Sequence, residues 1–106
     1  VPSYAEPVWH LYVIRVPDRD ALRAALAERG IATGIHYPIP IHLLQACSGL
    51  GYRRGDFPVT EAVADQILSL PMYPELSDDA IDYVAAAIRD VLERDQPAPG
   101  IARTAD

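Results

Sequence analysis

Residues 9–35, WHLYVIRVPDRDALRAALAERGIATGI, contain the pattern that decides the fold. Residues 9–16 are rich in β-branched and aromatic residues and contain no glycine or proline, which is typical of a strand. Pro17 ends that strand, Asp18 is a suitable N-cap, and apolar residues then recur at helical spacing up to a glycine, which predicts a helix over residues 19–29. The short apolar stretch after this helix, residues 31–35, predicts a second strand.

A long loop is predicted next. Residues 36–42, HYPIPIH, are kept extended by two prolines, and residues 43–47 fit one helical turn. The following stretch, SGLGYRRGD, contains three glycines and has the composition of a surface loop. The chain therefore presents a proline-stiffened segment directly after a strand.

The second half of the chain predicts two helices and a short strand. One helix begins at residues 56–58, and its apolar stripe predicts inward packing as far as residue 68 or beyond; the stripe consists of Val59, Val63, Ile67 and Leu70. Residues 68–74, LSLPMYP, are too rich in proline for a helix, and the first of them fit a short edge strand, where missing backbone donors do no harm. Ser77 is a good N-cap for the clearest helix, which reaches about residue 92.

This order of elements predicts an α/β (α+β, two-layer) domain. We expect a small, mainly antiparallel three-stranded sheet with about three helices packed on one face. Residues 9–94 form this domain and residues 1–8 connect to it. Residues 95–106 are small, polar and proline-containing, which predicts a flexible tail.

Composition limits the classes of function. With 106 residues, half of them hydrophobic, the chain forms one domain, and its net charge of −6 argues against nucleic acid as a partner. The single cysteine, Cys47, excludes an internal disulfide. No apolar run is long enough for a membrane span or a signal peptide, so we expect a cytoplasmic protein that does not enter the membrane.

The absence of lysine limits the chemistry. All nine basic residues are arginines, so no side chain can form a Schiff base with a carbonyl cofactor. Arg53 and Arg54 could receive a phosphate, but adjacent arginines in a glycine-rich loop are more often solvated. The three histidines lack the helical spacing of zinc ligands, so no metal site is predicted.

His36, Tyr37 and His42 are the candidate site residues. They bring hydrogen-bonding side chains together on a stiff loop, which is a common way to present groups to a ligand. The alternative is a loop that packs its aromatic residues on the core. The residues alone leave both interpretations open.

Five segments together resemble the C-terminal end of the DegT/DnrJ-type aminotransferases. They are HLYVIRV, ERGI, TGIHYPIPIH, GDFPVTE and LSLPMYPELS, in that order along the chain. The resemblance implies the fold-type-I architecture of enzymes dependent on pyridoxal 5'-phosphate (PLP). A large N-terminal domain then carries the cofactor and its lysine, and this chain is the small C-terminal domain that closes over the cleft.

The resemblance also implies a function for the parent enzyme. Members of this family transfer an amino group, usually from glutamate, to the keto group of a nucleotide-linked sugar in glycan or antibiotic biosynthesis. PLP serves as the electron sink in the full-length protein. Because this chain has no lysine, we expect it to bind no PLP, to contribute no catalytic residue and to be inert alone.

The expected contribution of this chain is substrate binding. By resemblance, His36, Tyr37 and His42 lie beside the nucleotide sugar in a homodimeric enzyme. His10 and Tyr12 share one face of the first strand and are second-tier candidates. Residues 68–76 are expected to shape the sheet edge and are assigned no site role.

Other functions remain open from the sequence. The chain could be a freestanding small-molecule-binding or regulatory module, or belong to a sugar dehydratase of the same fold that uses pyridoxamine phosphate. A metal-dependent hydrolase using the three histidines is a further alternative.

Overall fold

The computed structural model describes residues 1–94, so the predicted tail at residues 95–106 lies outside the described residues. In chain order the elements are β1 (Tyr12–Arg15), α1 (Arg19–Glu28), α2 (Pro58–Gln66), β2 (Ile67–Leu70) and α3 (Asp78–Arg94). Two 3₁₀ segments, Ile41–Leu43 and Gln45–Leu50, lie in the long connection between α1 and α2. The mixed α/β composition predicted from the sequence is confirmed.

Helix α1 has the caps that the sequence predicts. The Asp18 carboxylate accepts a hydrogen bond from the Ala21 backbone N–H at 3.2 Å. At the other end, Gly30 has a φ of 74°, where side chains are disfavoured. The N–H of Gly30 donates to the Ala27 carbonyl and that of Ile31 to the Leu26 carbonyl, both at 3.0 Å, which is a Schellman motif.

The sheet differs from the prediction. Within residues 1–94, β1 pairs with β2 in an antiparallel register from Tyr12↔Leu70 to Arg15↔Ile67, and there is no third strand. The predicted strand over residues 31–35 contributes one antiparallel bridge, Gly34↔Ser69. This bridge lies on the side of β2 away from β1, so the prediction of β2 as an edge strand is wrong. The N–H of Ile31 is already used at the end of α1, and prolines follow from residue 38, so few residues remain that could extend a ladder.

Helix α2 is shorter than predicted, and its predicted apolar stripe is wrong. Val59 is 75% exposed, and the last two members of the stripe lie in β2. The helix stops at Gln66 because the chain becomes extended at Ile67. The buried Arg19 guanidinium binds the end of the helix by donating to the carbonyls of Ala64 at 3.2 Å and Ile67 at 3.0 Å.

The hydrophobic core lies between the sheet, α1 and α3. Its buried members are Val16, Leu22, Leu26, Ile31, Leu68 and Ala87, and α3 adds Val84, Ile88 and Val91 at its margin. An ion pair between Arg29 and Asp90 also joins the two helices, and the Arg29 guanidinium lowers the pKa of the Asp90 carboxyl. No helix among residues 1–94 has the length and apolar character needed to cross a bilayer.

The core predicts which leucine matters for stability. Leu26 is fully buried, so Leu26→Ala should reduce the free energy of unfolding by about 2–5 kcal/mol through lost burial and a residual cavity. Leu50→Ala is the matched control, because Leu50 is 67% exposed and its truncation should change stability by only about 0.5 kcal/mol. Urea denaturation followed by circular dichroism measures both. Equal effects of the two variants would contradict this packing.

Candidate functional site

His36 lies two residues after Gly34, which pairs with Ser69 of β2, and one side of its imidazole ring is held by contacts. Its Nδ1 is 2.9 Å from the Ser69 hydroxyl oxygen, and Ser69 is only 4% exposed. The imidazole also lies against the backbone of Gly34, where an added Cβ would approach its Cε1 to 2.6 Å. The His36 residue as a whole remains exposed. This histidine is therefore anchored at Nδ1 while staying accessible to a ligand.

Tyr37 lies beside His36 and points into open space. The residue is 76% exposed, and its ring meets the imidazole edge-on with the ring centroids 6.0 Å apart. The structure thus brings two of the predicted site residues together on one accessible surface. Both can donate or accept hydrogen bonds.

His42, the third loop residue, is engaged elsewhere. Its side chain is 8% exposed, and its Nε2 donates to Glu61 Oε1 on α2 at 2.9 Å. The ring also packs against Phe57, at a centroid distance of 4.8 Å, and Phe57 in turn contacts Tyr52. In this arrangement His42 ties the loop to the start of α2.

Glu61 is a residue of this site that the sequence did not indicate. It is 8% exposed, and besides His42 it accepts from the Gly55 N–H at 2.8 Å and 3.1 Å, one distance to each carboxylate oxygen. The Arg54 guanidinium lies 3.8 Å away. The Gly55 hydrogen bond, followed by that of His42, lowers the pKa of Glu61 against the opposing effect of burial. The only sequence signal was the acid in the first turn of the helix within GDFPVTE.

His10 and Tyr12 line a groove on another part of the surface. His10 precedes β1, which begins at Tyr12, so the two do not alternate along one strand as predicted. They still face the same open groove of about 830 Å³, and Met72 and Tyr73 are also among its lining residues. The LPMYP segment, given no site role from the sequence, therefore forms part of a concave surface.

A second, more apolar groove lies between the sheet and α3. It has a volume of about 440 Å³ and shares Tyr12, Ile14 and Met72 with the first groove. Ile81 on α3 lines it and is 49% exposed. Among residues 1–94, no group of three or more histidine, cysteine, aspartate or glutamate side chains is placed to hold a metal ion.

Comparisons with known proteins give one consistent family. The model of the DegT/DnrJ/EryC1/StrS aminotransferase family matches residues 2–89. The erythromycin biosynthesis sensory transduction protein EryC1 of Saccharopolyspora erythraea is 45% identical over 81% of this chain and 24% of its own length. The dTDP-3-amino-3,4,6-trideoxy-alpha-D-glucose transaminase of Streptomyces venezuelae is 44% identical over 84% of this chain and 24% of its own length.

A solved structure shows the same fold. The crystal structure of S. venezuelae DesV in complex with a ketimine intermediate superposes with a TM-score of 0.80 and 43% identity. The match covers 86% of this chain and 24% of DesV. The chain thus spans about a quarter of the length of the relatives it matches.

The Glu61 contacts predict a pH-dependent contribution to stability. Because the pKa of Glu61 is lowered from its ordinary value of 4.5, the charged carboxylate stabilises the fold above that pH, and the contribution is lost as pH falls through the lowered pKa. Glu61→Gln keeps the shape but removes the charge. It should destabilise the chain well above pH 4.5, and its difference from wild type should shrink at more acidic pH.

Denaturation curves of the Glu61→Gln variant and of the wild type, recorded at neutral pH and again below pH 4.5, measure this difference. Asp65→Asn, at an exposed position of the same helix, is the control and should leave stability nearly unchanged. A Glu61→Gln variant as stable as wild type at neutral pH would contradict the proposed importance of this carboxylate.

Proposed function

This chain belongs to the DegT/DnrJ/EryC1/StrS aminotransferase family, and we propose that it is the small C-terminal domain of a PLP-dependent sugar aminotransferase. The observation that carries the proposal is the extent of the match. Family relatives align over more than four fifths of this chain but over only a quarter of their own length. The remaining three quarters of such a protein would hold the cofactor domain.

The substrate we propose is a keto sugar linked to a nucleotide, with glutamate as the amino donor. One relative is named as a transaminase of a dTDP-linked amino sugar, and the superposed DesV structure contains a ketimine intermediate. The parent enzyme would then serve the biosynthesis of a glycan or an antibiotic sugar.

The residues of this chain do not fit a PLP site. Covalent attachment of PLP needs a lysine, and the sequence has none. In the proposed enzyme the cofactor is therefore held outside this chain, and the chain alone is inactive. Its part in the reaction is to bind and orient the sugar nucleotide.

His36 and Tyr37 are the residues we assign to substrate binding. They are neighbours and both exposed, so the imidazole and the phenol can hydrogen-bond to sugar or phosphate oxygens. For His42 the contact with Glu61 supports an anchoring role, and its direct contact with substrate stays a prediction. His10 and Tyr12 are retained as second-tier candidates because they line a groove.

The exposed aromatic surface supports a partner for this domain. Trp9 is 68% exposed and Tyr73 is 55% exposed, and both line the larger groove. Apolar surface of this kind is usually covered in a complete protein. We propose that this surface is buried against the N-terminal cofactor domain of the same polypeptide or against the second subunit of a homodimer.

The direct test compares the parent protein with the 106-residue chain. Purified with PLP, the parent should show the visible absorbance of lysine-bound cofactor and transfer the amino group of glutamate to a nucleotide-linked keto sugar. The isolated chain should do neither. A parent protein that binds no PLP, or an isolated chain that transaminates, would refute the proposal.

Tyr37 provides a sharper test of the substrate site. In the parent enzyme, Tyr37→Phe removes only the hydroxyl and should raise KM for the nucleotide sugar roughly 2- to 10-fold, the value of one hydrogen bond, with kcat little changed. Tyr4→Phe is the matched control, because Tyr4 is 91% exposed and lines neither groove. Steady-state kinetics with varied sugar nucleotide separate the two variants. Unchanged kinetics in Tyr37→Phe would argue against this hydroxyl as a ligand.

A further inference from the structure

Ser69 combines burial with a polar contact to the candidate site. The residue is 4% exposed in β2, and a buried hydroxyl needs a hydrogen-bond partner. Among residues 1–94, the partner of its side chain is His36 Nδ1, at 2.9 Å. Both backbone groups of Ser69 are also bound, since its N–H donates to the Gly34 carbonyl at 2.7 Å and its carbonyl accepts from Gly34 at 3.0 Å. The hydroxyl therefore occupies a fixed position beneath the imidazole.

Gly34 provides the space in which the ring lies. It is not one of the glycines with positive φ, so its backbone conformation does not require glycine. A Cβ at this position would lie 2.6 Å from His36 Cε1 and 3.3 Å from Nδ1, which is too close for the ring to stay in place. A side chain at position 34 would therefore displace the imidazole without straining the backbone.

We propose that Ser69 and Gly34 are positioning residues that fix the ring of His36, so that Nε2 is the nitrogen presented to the nucleotide-linked sugar. Nδ1 is occupied by Ser69, whereas Nε2 has no hydrogen-bond partner within the described part of the chain. A ring held in advance loses less conformational freedom on binding than a free one, which favours affinity. The inference rests on the proposed function and adds two residues that act through His36.

The test is a double-mutant cycle in the parent enzyme. Ser69→Ala and Gly34→Ala should each raise KM for the nucleotide sugar roughly 2- to 10-fold and leave kcat within about 2-fold, as expected for lost ground-state binding. In a His36→Ala background neither substitution should have a further effect, because the ring on which they act is gone. Ser69→Thr keeps the hydroxyl and should retain most of the wild-type affinity.

The outcomes separate this inference from the proposed function. If His36→Ala raises KM while Ser69→Ala and Gly34→Ala do not, the positioning role is wrong and substrate binding by His36 stands. If their effects add fully to that of His36→Ala, they act through another group, which also overturns the inference. An unchanged KM in His36→Ala would reject the substrate contact itself. Thermal melting of every variant identifies any that is unfolded. If Ser69→Ala is unfolded, Ser69→Thr supplies the test in a folded protein. A KM in Ser69→Thr as high as that in His36→Ala would overturn the inference.

Discussion

The alternation of side chains along β2 is the constraint on which both the core and the candidate site depend. Leu68 is fully buried among the helices, so the next residue, Ser69, must lie on the opposite face of the sheet. Pairing with β1 on one side and with Gly34 on the other fixes this register. A shift by one residue would bury the serine in the core and remove the support of His36. The same strand thus determines both the formation of the core and the orientation of the His36 ring.

A second anchor lies at the far end of the loop. The Glu61 carboxylate is nearly buried, and a charge in that position is tolerated only when hydrogen-bond donors surround it. His42 and Gly55 supply those donors from two separate points of the chain. The loop that carries His36 and Tyr37 is therefore fixed at both ends. Gly34 pairs with β2 before these two residues, and His42 binds Glu61 on α2 after them.

Local signals predicted most of the fold, and the errors arise where another contact competes with the local pattern. Helix α1 was predictable because its N-cap and its C-terminal glycine are adjacent in the sequence to the apolar pattern. The missing third strand has a local cause, because the turn that ends α1 uses the Ile31 N–H. The early end of α2 depends on Arg19, whose contacts with the carbonyls of Ala64 and Ile67 no sequence pattern reveals. The same holds for the site. A proline-spaced loop indicated His36, whereas Glu61 and Ser69 lie far along the chain from the histidines they contact.

The clamp formed by Glu61 has a consequence for how this region could vary in length. His42 and Gly55, the two ends of this segment, both bind the Glu61 carboxylate. The middle of the segment can therefore be lengthened without moving its two ends. The entropic cost of a longer closed loop is small, about 0.6 kcal/mol for each doubling. Insertions near Gly49 would thus be tolerated, while His36 and Tyr37, which precede His42 in the chain, keep their geometry. The domain can in this way acquire new surface at the loop tip without altering the residues that face the ligand.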